Sequence, residues 1–228
     1  MLLANYYPTE EKILRRIIYL SASSVYGNHQ GRLVNEESQL LGTHHQARSR
    51  IMVEKRYLDL SDKFIVTIFR LAGIYGPSRN PLEKILSGKL TASPYLPPAY
   101  IGNSDKILAG KKGYYHHLTI RIHLDDIVAI TRAALASKRL KGIFNLSDDK
   151  AAANYQVNNY AAKLLGKKAL PKKIFKPNDK AYRFIANRKL IDNSKIKKFL
   201  KYQFIFPDYQ AGLDHEFKRL ALAKKFGD

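Results

Sequence analysis

The side chains able to handle protons fall in three short stretches. Leu20 to Gly27 reads Leu-Ser-Ala-Ser-Ser-Val-Tyr-Gly, a hydroxyl-rich run closing an apolar segment. Side chains alternate across a strand, so Ser21 and Ser23 point away from the face that Ala22 presents. Ser23 reaches that face only where the chain has begun to turn. The second stretch opens on His44-His45 and places Gln46, Arg50 and Glu54 at successive i, i+4 positions of one helix face. Histidine can do acid/base work near neutrality, although His44-His45 also reads as an exposed helix start. Gln46 is an amide and shuttles no proton, and the charge of Arg50 is effectively permanent. In the third stretch, Arg121-Ile122-His123-Leu124-Asp125-Asp126, the carboxylates sit where they would charge the N-terminus of a helix. His116-His117 has no partner at ligand spacing, so no metal site is expected. The chain has no cysteine, which excludes thiolate nucleophiles, disulfides and cysteine-ligated clusters.

The elements that must position these groups follow from pattern. Pro8-Thr9-Glu10-Glu11 starts a short helix to about Arg15, and Ile17–Leu20 is a continuous apolar run expected of a parallel strand covered on both faces. Residues 28–43 are polar and punctuated by glycine, hence a loop. His45–Leu60 predicts a helix with Ile51, Met52, Tyr57 and Leu58 inward. Phe64–Phe69 predicts a second buried strand, making a strand–helix–strand unit of parallel strands. Pro81–Ser87 is a short helix, and 91–112, rich in Pro and Gly without periodicity, reads as an inserted surface loop. Asp125-Asp126 opens a helix to about Ala136. Ile143–Leu146 is a third strand, Asn154 caps a helix from Tyr155 that stops at Gly166, and helices at Ser194–Leu200 and Tyr209–Lys225 close the chain.

The 228 residues fit one domain or a domain and a half, with 45% hydrophobic residues. No window approaches a membrane span, and Met1–Ala4 is too short for the apolar core of a signal peptide, so the expected location is the cytoplasm. The net charge of +21 is concentrated in residues 160–201, where Asp179 and Asp192 are the only acids. One reading is an electrostatic footprint for nucleic acid or an acidic partner. The other, preferred, is a set of solvated lysine faces, because Phe175, Tyr182 and Phe184 are scattered and form no stacking platform.

Four stretches in order, Ser21–Gly27, Arg70–Pro77, Arg121–Asp126, and Asn145–Asp149 with Phe206–Leu213, resemble the extended and atypical short-chain dehydrogenases of the NAD-dependent epimerase/dehydratase kind. The resemblance runs from Arg16 onward, outside 91–112. It implies an α/β fold, a doubly wound parallel Rossmann-like sheet missing its first strands, with a small α/β C-terminal substrate-side region. By extent, 1–90 is the truncated Rossmann-like part and 113–228 holds the remaining elements. It further implies NAD or NADP as cofactor and a nucleotide sugar or related alcohol as substrate. In that family a Tyr beside a Lys exchanges the proton and a Ser or Thr positions the substrate oxygen.

Carried over residue by residue, the hydroxyl position is Ala22, with Ser23 as the neighbouring substitute. Taking Glu54 as the family's helix glutamate puts Gln46 at the Tyr position and Arg50 at the Lys position. The cofactor side would be Ser21, Arg50, Leu71, Ala72, Gly73 and Ile74, and the substrate side Tyr26, Arg79, Asn80, Arg121 and His123. No glycine precedes Gly27, and Gly73-Ile74-Tyr75-Gly76 and Gly110-Lys111-Lys112-Gly113 lack the strand-to-helix setting of a phosphate cradle. The expectation is therefore a catalytically degenerate, truncated member whose cofactor binding alone is doubtful. Its partner would be a separately encoded N-terminal half, or a second copy joined through the sheet edge at Ile17–Leu20. The competing expectation is a basic binding module acting through 160–201. Nucleic acid is not the favoured partner, and no membrane is expected.

Overall fold

The computed structural model describes residues 16–95, 118–137, 139–174 and 188–226. The helix expected at Pro8–Arg15 and the aromatic residues Phe175, Tyr182 and Phe184 lie outside them. Strand β1 (Arg16–Ala22) leads into a 3-10 turn at Ser23–Tyr26, a two-residue strand β2 (Leu33–Val34) and helix α1 (His45–Leu58). Strand β3 (Ile65–Leu71) returns parallel to β1, with Arg16 beside Ile65 and Ala22 beside Leu71. The short strand β4 (Gly73–Tyr75) and helix α2 (Pro81–Leu86) follow, then β5 (Ser93–Tyr95).

Past 117 come β6 (Leu118–Thr119), β7 (Arg121–His123), helix α3 (Leu124–Ala136) and β8 (Gly142–Leu146), which pairs parallel to β3. The chain continues through β9 (Ala152–Ala153), α4 (Asn154–Leu164), β10 (Lys172–Ile174), β11 (Leu190–Ile191), α5 (Ser194–Leu200) and α6 (Tyr209–Phe226). The architecture is α/β around a parallel sheet ordered β1-β3-β8, a partial Rossmann-like fold. Among the described residues four two-stranded ribbons accompany it, β2 with β11, β4 with β7, β5 with β10 and β6 with β9.

Strand β3 is buried from Val66 to Leu71 because it is the central strand. Phe69, Leu71, Phe144 and Leu146 pack against Ile127 and Ile130 of α3 and Ile196 of α5, each contributing about 1.5–3 kcal/mol by leaving water. A second cluster joins α2, α4 and α6 through Leu82, Val157, Ala161 and Leu213. A third, Val25, Tyr26, Val34 and Ile191, joins the 3-10 turn to the β2–β11 ribbon. Helix α2 shows why its residues make a helix: Asn80 caps it by accepting from the Glu83 N–H at 3.0 Å, and Pro81 occupies its first position.

Several sequence expectations are corrected. Strand β1 is only partly covered on its faces, with Leu20 half exposed, and among the described residues it pairs along one edge alone, with β3. Helix α1 turns Ala47, Ile51 and Glu54 inward while Met52 is exposed. The inner stripe holds a charge, which an apolar pattern could not register. Residues 28–43 include strand β2, and 91–112 is not simply a surface loop, since Ser93 is buried in a strand whose hydroxyl accepts from Asn158. The rest of that stretch lies outside the described residues. Asn154 does not cap α4. The cap is Ala153, whose N–H donates to the Gln156 side chain, while the Asn154 oxygen is taken by Arg121.

Candidate functional site

Strand β1 ends at Ala22, and the chain turns at once, so the alternation that would hide Ser23 stops there. Ala22, Ser23, Gln46, Arg50, Lys189 and Ile191 line one cavity of about 380 Å³. A second, of about 420 Å³, is lined by Tyr75, Arg79, Asn80, Arg121, Asn154 and Asn158. The two share Gly73, Arg79, Thr119 and Ile120, so they adjoin along the start of β4 and the β6–β7 link.

What fixes the first cavity is a buried polar chain running across the sheet. Ser21 donates its hydroxyl proton to Glu54 Oε1 at 2.5 Å, and Arg70 donates to Glu54 from Nε at 3.1 Å and from Nη2 at 2.7 Å. Arg70 Nη1 also donates to Tyr26 Oη at 3.0 Å, Tyr26 donates to Asn145 Oδ1 at 2.7 Å, and Asn145 Nδ2 donates to the Asp192 carbonyl. Burial works against the Arg70 charge, but Glu54 and Tyr26 outweigh it and hold the guanidinium above its usual pKa. Burial raises the Tyr26 phenol, with Arg70 pulling the other way. Glu54 therefore anchors α1 in the register in which Gln46 and Arg50 line the same cavity as Ala22.

The remaining expected site residues divide cleanly. Gly73 lines both cavities and Ile74 the second, whereas Leu71 and Ala72 belong to the core. Ser21 and Tyr26 are spent in the polar chain. Arg79 and Asn80 line the second cavity, as does Arg121, which donates to the Thr119 and Ala152 carbonyls and to Asn154. His123 lines neither: it is fully buried, caps α3 by accepting from the Asp125 N–H at 3.2 Å, and lies 3.4 Å from Glu216. Burial lowers its pKa against the pull of Asp125 and Glu216. Asp126, grouped with His123 in the sequence, has its carboxylate taken by the Ile205 and Phe206 N–H groups and the Tyr202 hydroxyl. Among the described residues no three His, Asp or Glu side chains are placed to hold a metal ion.

Sequence reasoning missed two groups. Asp148, following β8, is buried among Arg121 and Tyr75, and burial pushes its carboxyl up to about 8. Lys189 enters the first cavity, and burial brings its amine down to about 8. In the sequence it is one lysine of a basic run; the signal lay in Leu190-Ile191, the apolar pair that becomes β11.

No protein-family model and no curated protein matches the sequence. Solved structures do. A functionally unknown conserved protein from Silicibacter pomeroyi DSS is 29% identical, with a TM-score of 0.74 over 90% of this chain and 67% of that one. UDP-glucuronic acid 4-epimerase from Bacillus cereus, in complex with NAD, is 20% identical with a TM-score of 0.66 over 93% of this chain. The fold is that of the NAD-dependent epimerases and dehydratases. dTDP-glucose 4,6-dehydratase from Bacillus anthracis str. Ames, also with NAD, shares it at 17% identity and a TM-score of 0.65 over 92% of this chain. The chain spans 62% and 63% of the length of those two enzymes. Within this epimerase/dehydratase fold the described residues provide the sheet β1-β3-β8 and the two adjoining cavities. They include no glycine-rich strand-to-helix loop, so they do not fit the pyrophosphate of a dinucleotide.

Proposed function

We propose that this chain forms the substrate-side part of an NAD(P)-dependent epimerase/dehydratase-like protein for a nucleotide sugar or related alcohol, and that its proton-exchange set is degenerate. The observation that carries the reading is the Ser21–Glu54–Arg70 anchor. With α1 held in that register, Ala22, Gln46 and Arg50 line one cavity together, and none of the three supplies a titratable phenol or a hydroxyl. Ser23, just past the strand end, offers the nearest hydroxyl. Gly73 and Ile74 would lie on the cofactor side, and Arg79, Asn80 and Arg121 on the substrate side, where guanidinium groups suit an anionic nucleotide. The pyrophosphate cradle would come from a glycine-rich β/α segment lying beside β1, which the described residues do not include.

Nicotinamide fluorescence tests this. NADH titrated into the 228-residue chain is expected to bind without saturating below millimolar concentration, and to bind tightly once a glycine-rich β/α segment is co-expressed. Tight binding by the chain alone would overturn the reading. In the complemented complex, Ala22→Ser, Gln46→Tyr and Arg50→Lys together are expected to raise turnover of a nucleoside-diphosphate sugar by about 10²-fold or more over the parent. An unchanged rate would place the degeneracy elsewhere.

A further inference from the structure

Lys189 has a setting that the reading above does not use. Its backbone is clamped on both sides: the Arg188 carbonyl accepts from the His29 and Gly31 N–H groups at 2.9 and 3.1 Å, and Leu190 N–H donates to the Arg32 carbonyl at 3.0 Å. Leu190 and Ile191 then pair with Leu33 and Val34, and Asp192 N–H donates to Val34. So held, Lys189 lines the 380 Å³ cavity and its Nζ donates to the Gly27 carbonyl at 3.1 Å. Gly27 has φ of +66°, and a Cβ there would fall on the Leu41 carbonyl, so the oxygen that receives Lys189 is itself fixed by a glycine.

The charged and titratable groups sharing the cavity are His44, which caps α1, Arg50 within α1, and Arg79, and among the described residues no carboxylate lines it. His44 accepts the Ala47 N–H through Nδ1 at 3.2 Å, which commits that nitrogen to capping the helix. A lysine amine desolvated at the wall of a cavity is the arrangement that makes it nucleophilic at neutral pH. Burial has brought this one to about 8. At pH 7.4 such an amine is neutral about a fifth of the time, against about one part in a thousand for an ordinary lysine.

We propose that Lys189 is a reactive amine that captures a small carboxylated aldehyde or ketone, a 2-oxo acid or its relative, as a reversible imine, with Arg50 and Arg79 receiving the carboxylate. The neutral Nζ lone pair adds to the carbonyl carbon, and the carbonyl oxygen takes up a proton. The resulting carbinolamine then expels one water as the C=N bond forms. Nothing is oxidised or reduced, and hydrolysis reverses the step. Guanidinium groups give a carboxylate paired, planar donors, which is why the anion accompanies the carbonyl.

The test uses the native chain at pH 7.4 with glyoxylate and sodium cyanoborohydride, which reduces the imine to a stable carboxymethyl amine, followed by peptide mapping. Lys189 is expected to be modified at least tenfold faster than exposed Lys63 and Lys141, with a rate that climbs with pH and levels off above about 8. The modification should vanish in Lys189→Arg with an unchanged far-UV spectrum. Acetaldehyde, which lacks the carboxylate, should discriminate less between Lys189 and Lys63 than glyoxylate does. Labelling spread evenly over the exposed lysines would overturn the reactive amine, and equal discrimination by the two aldehydes would overturn the role of the arginines. The labelling needs no nicotinamide, so its failure and a failure of cofactor binding are separate results.

Discussion

Glu54 carries a charge at 2% exposure because three donated hydrogen bonds from Arg70, with the Ser21 hydroxyl, replace the water it has lost. Removing one partner strands the other, so Glu54→Ala is expected to cost about 3–5 kcal/mol in urea denaturation, and the double variant Glu54→Ala/Arg70→Met less than the sum. Asp148 behaves in the opposite sense. Burial, only partly offset by Arg121, raises its carboxyl to about 8 from 3.8, so the folded state holds a proton that the unfolded chain releases. Stability from this group is full below about pH 4 and is lost as pH rises through about 8. Melting temperature should therefore fall between those limits, and Asp148→Asn should flatten the fall. Neither behaviour was legible in the sequence, since a lone Glu or Asp reads as solvated; only the spacing of Gln46, Arg50 and Glu54 marked that helix face as special.

At the level of elements, the long pieces were legible and the short ones were not. Strands β1, β3 and β8 announce themselves as apolar runs, and the helices at α1, α3, α4 and α6 by their length. The ribbons of two or three residues are too short to display a period, and they are the pieces that bring Arg121 and Lys189 to the cavities. Their connections depend on tight turns. Gly27→Ala is expected to cost about 3 kcal/mol or more, because the new methyl meets the Leu41 backbone and the φ is left-handed. Gly88→Ala, at φ of +70° with open space around it, should cost only about 1 kcal/mol. Urea midpoints of the two variants separate a clash from a strain.

For the whole molecule, the outer edge of β1 is the feature with consequences for association. Among the described residues that edge has no neighbouring strand, and Leu20 beside it is 48% exposed. An edge of this kind templates another chain unless a charge blunts it. Sedimentation velocity should reveal association of the parent, and Leu20→Lys should shift it toward monomer with its far-UV spectrum intact. The sequence pointed to the edge through its absent glycines. The lysine-rich half reads differently in three dimensions: Lys197 pairs with Asp149 at 2.8 Å, Lys195 lies over Phe144 and Lys172 over Tyr155, so part of that charge is absorbed locally.

The bond from Lys189 to Gly27 spans 162 positions of the chain. A polypeptide is made from its N-terminus, so β1, α1 and β3 can find one another while the ribosome still holds the remainder, but the wall that carries the amine cannot. Of the two cavities, this one closes later in synthesis, its last wall residues being Lys189 and Ile191 where those of the other end at Asn158.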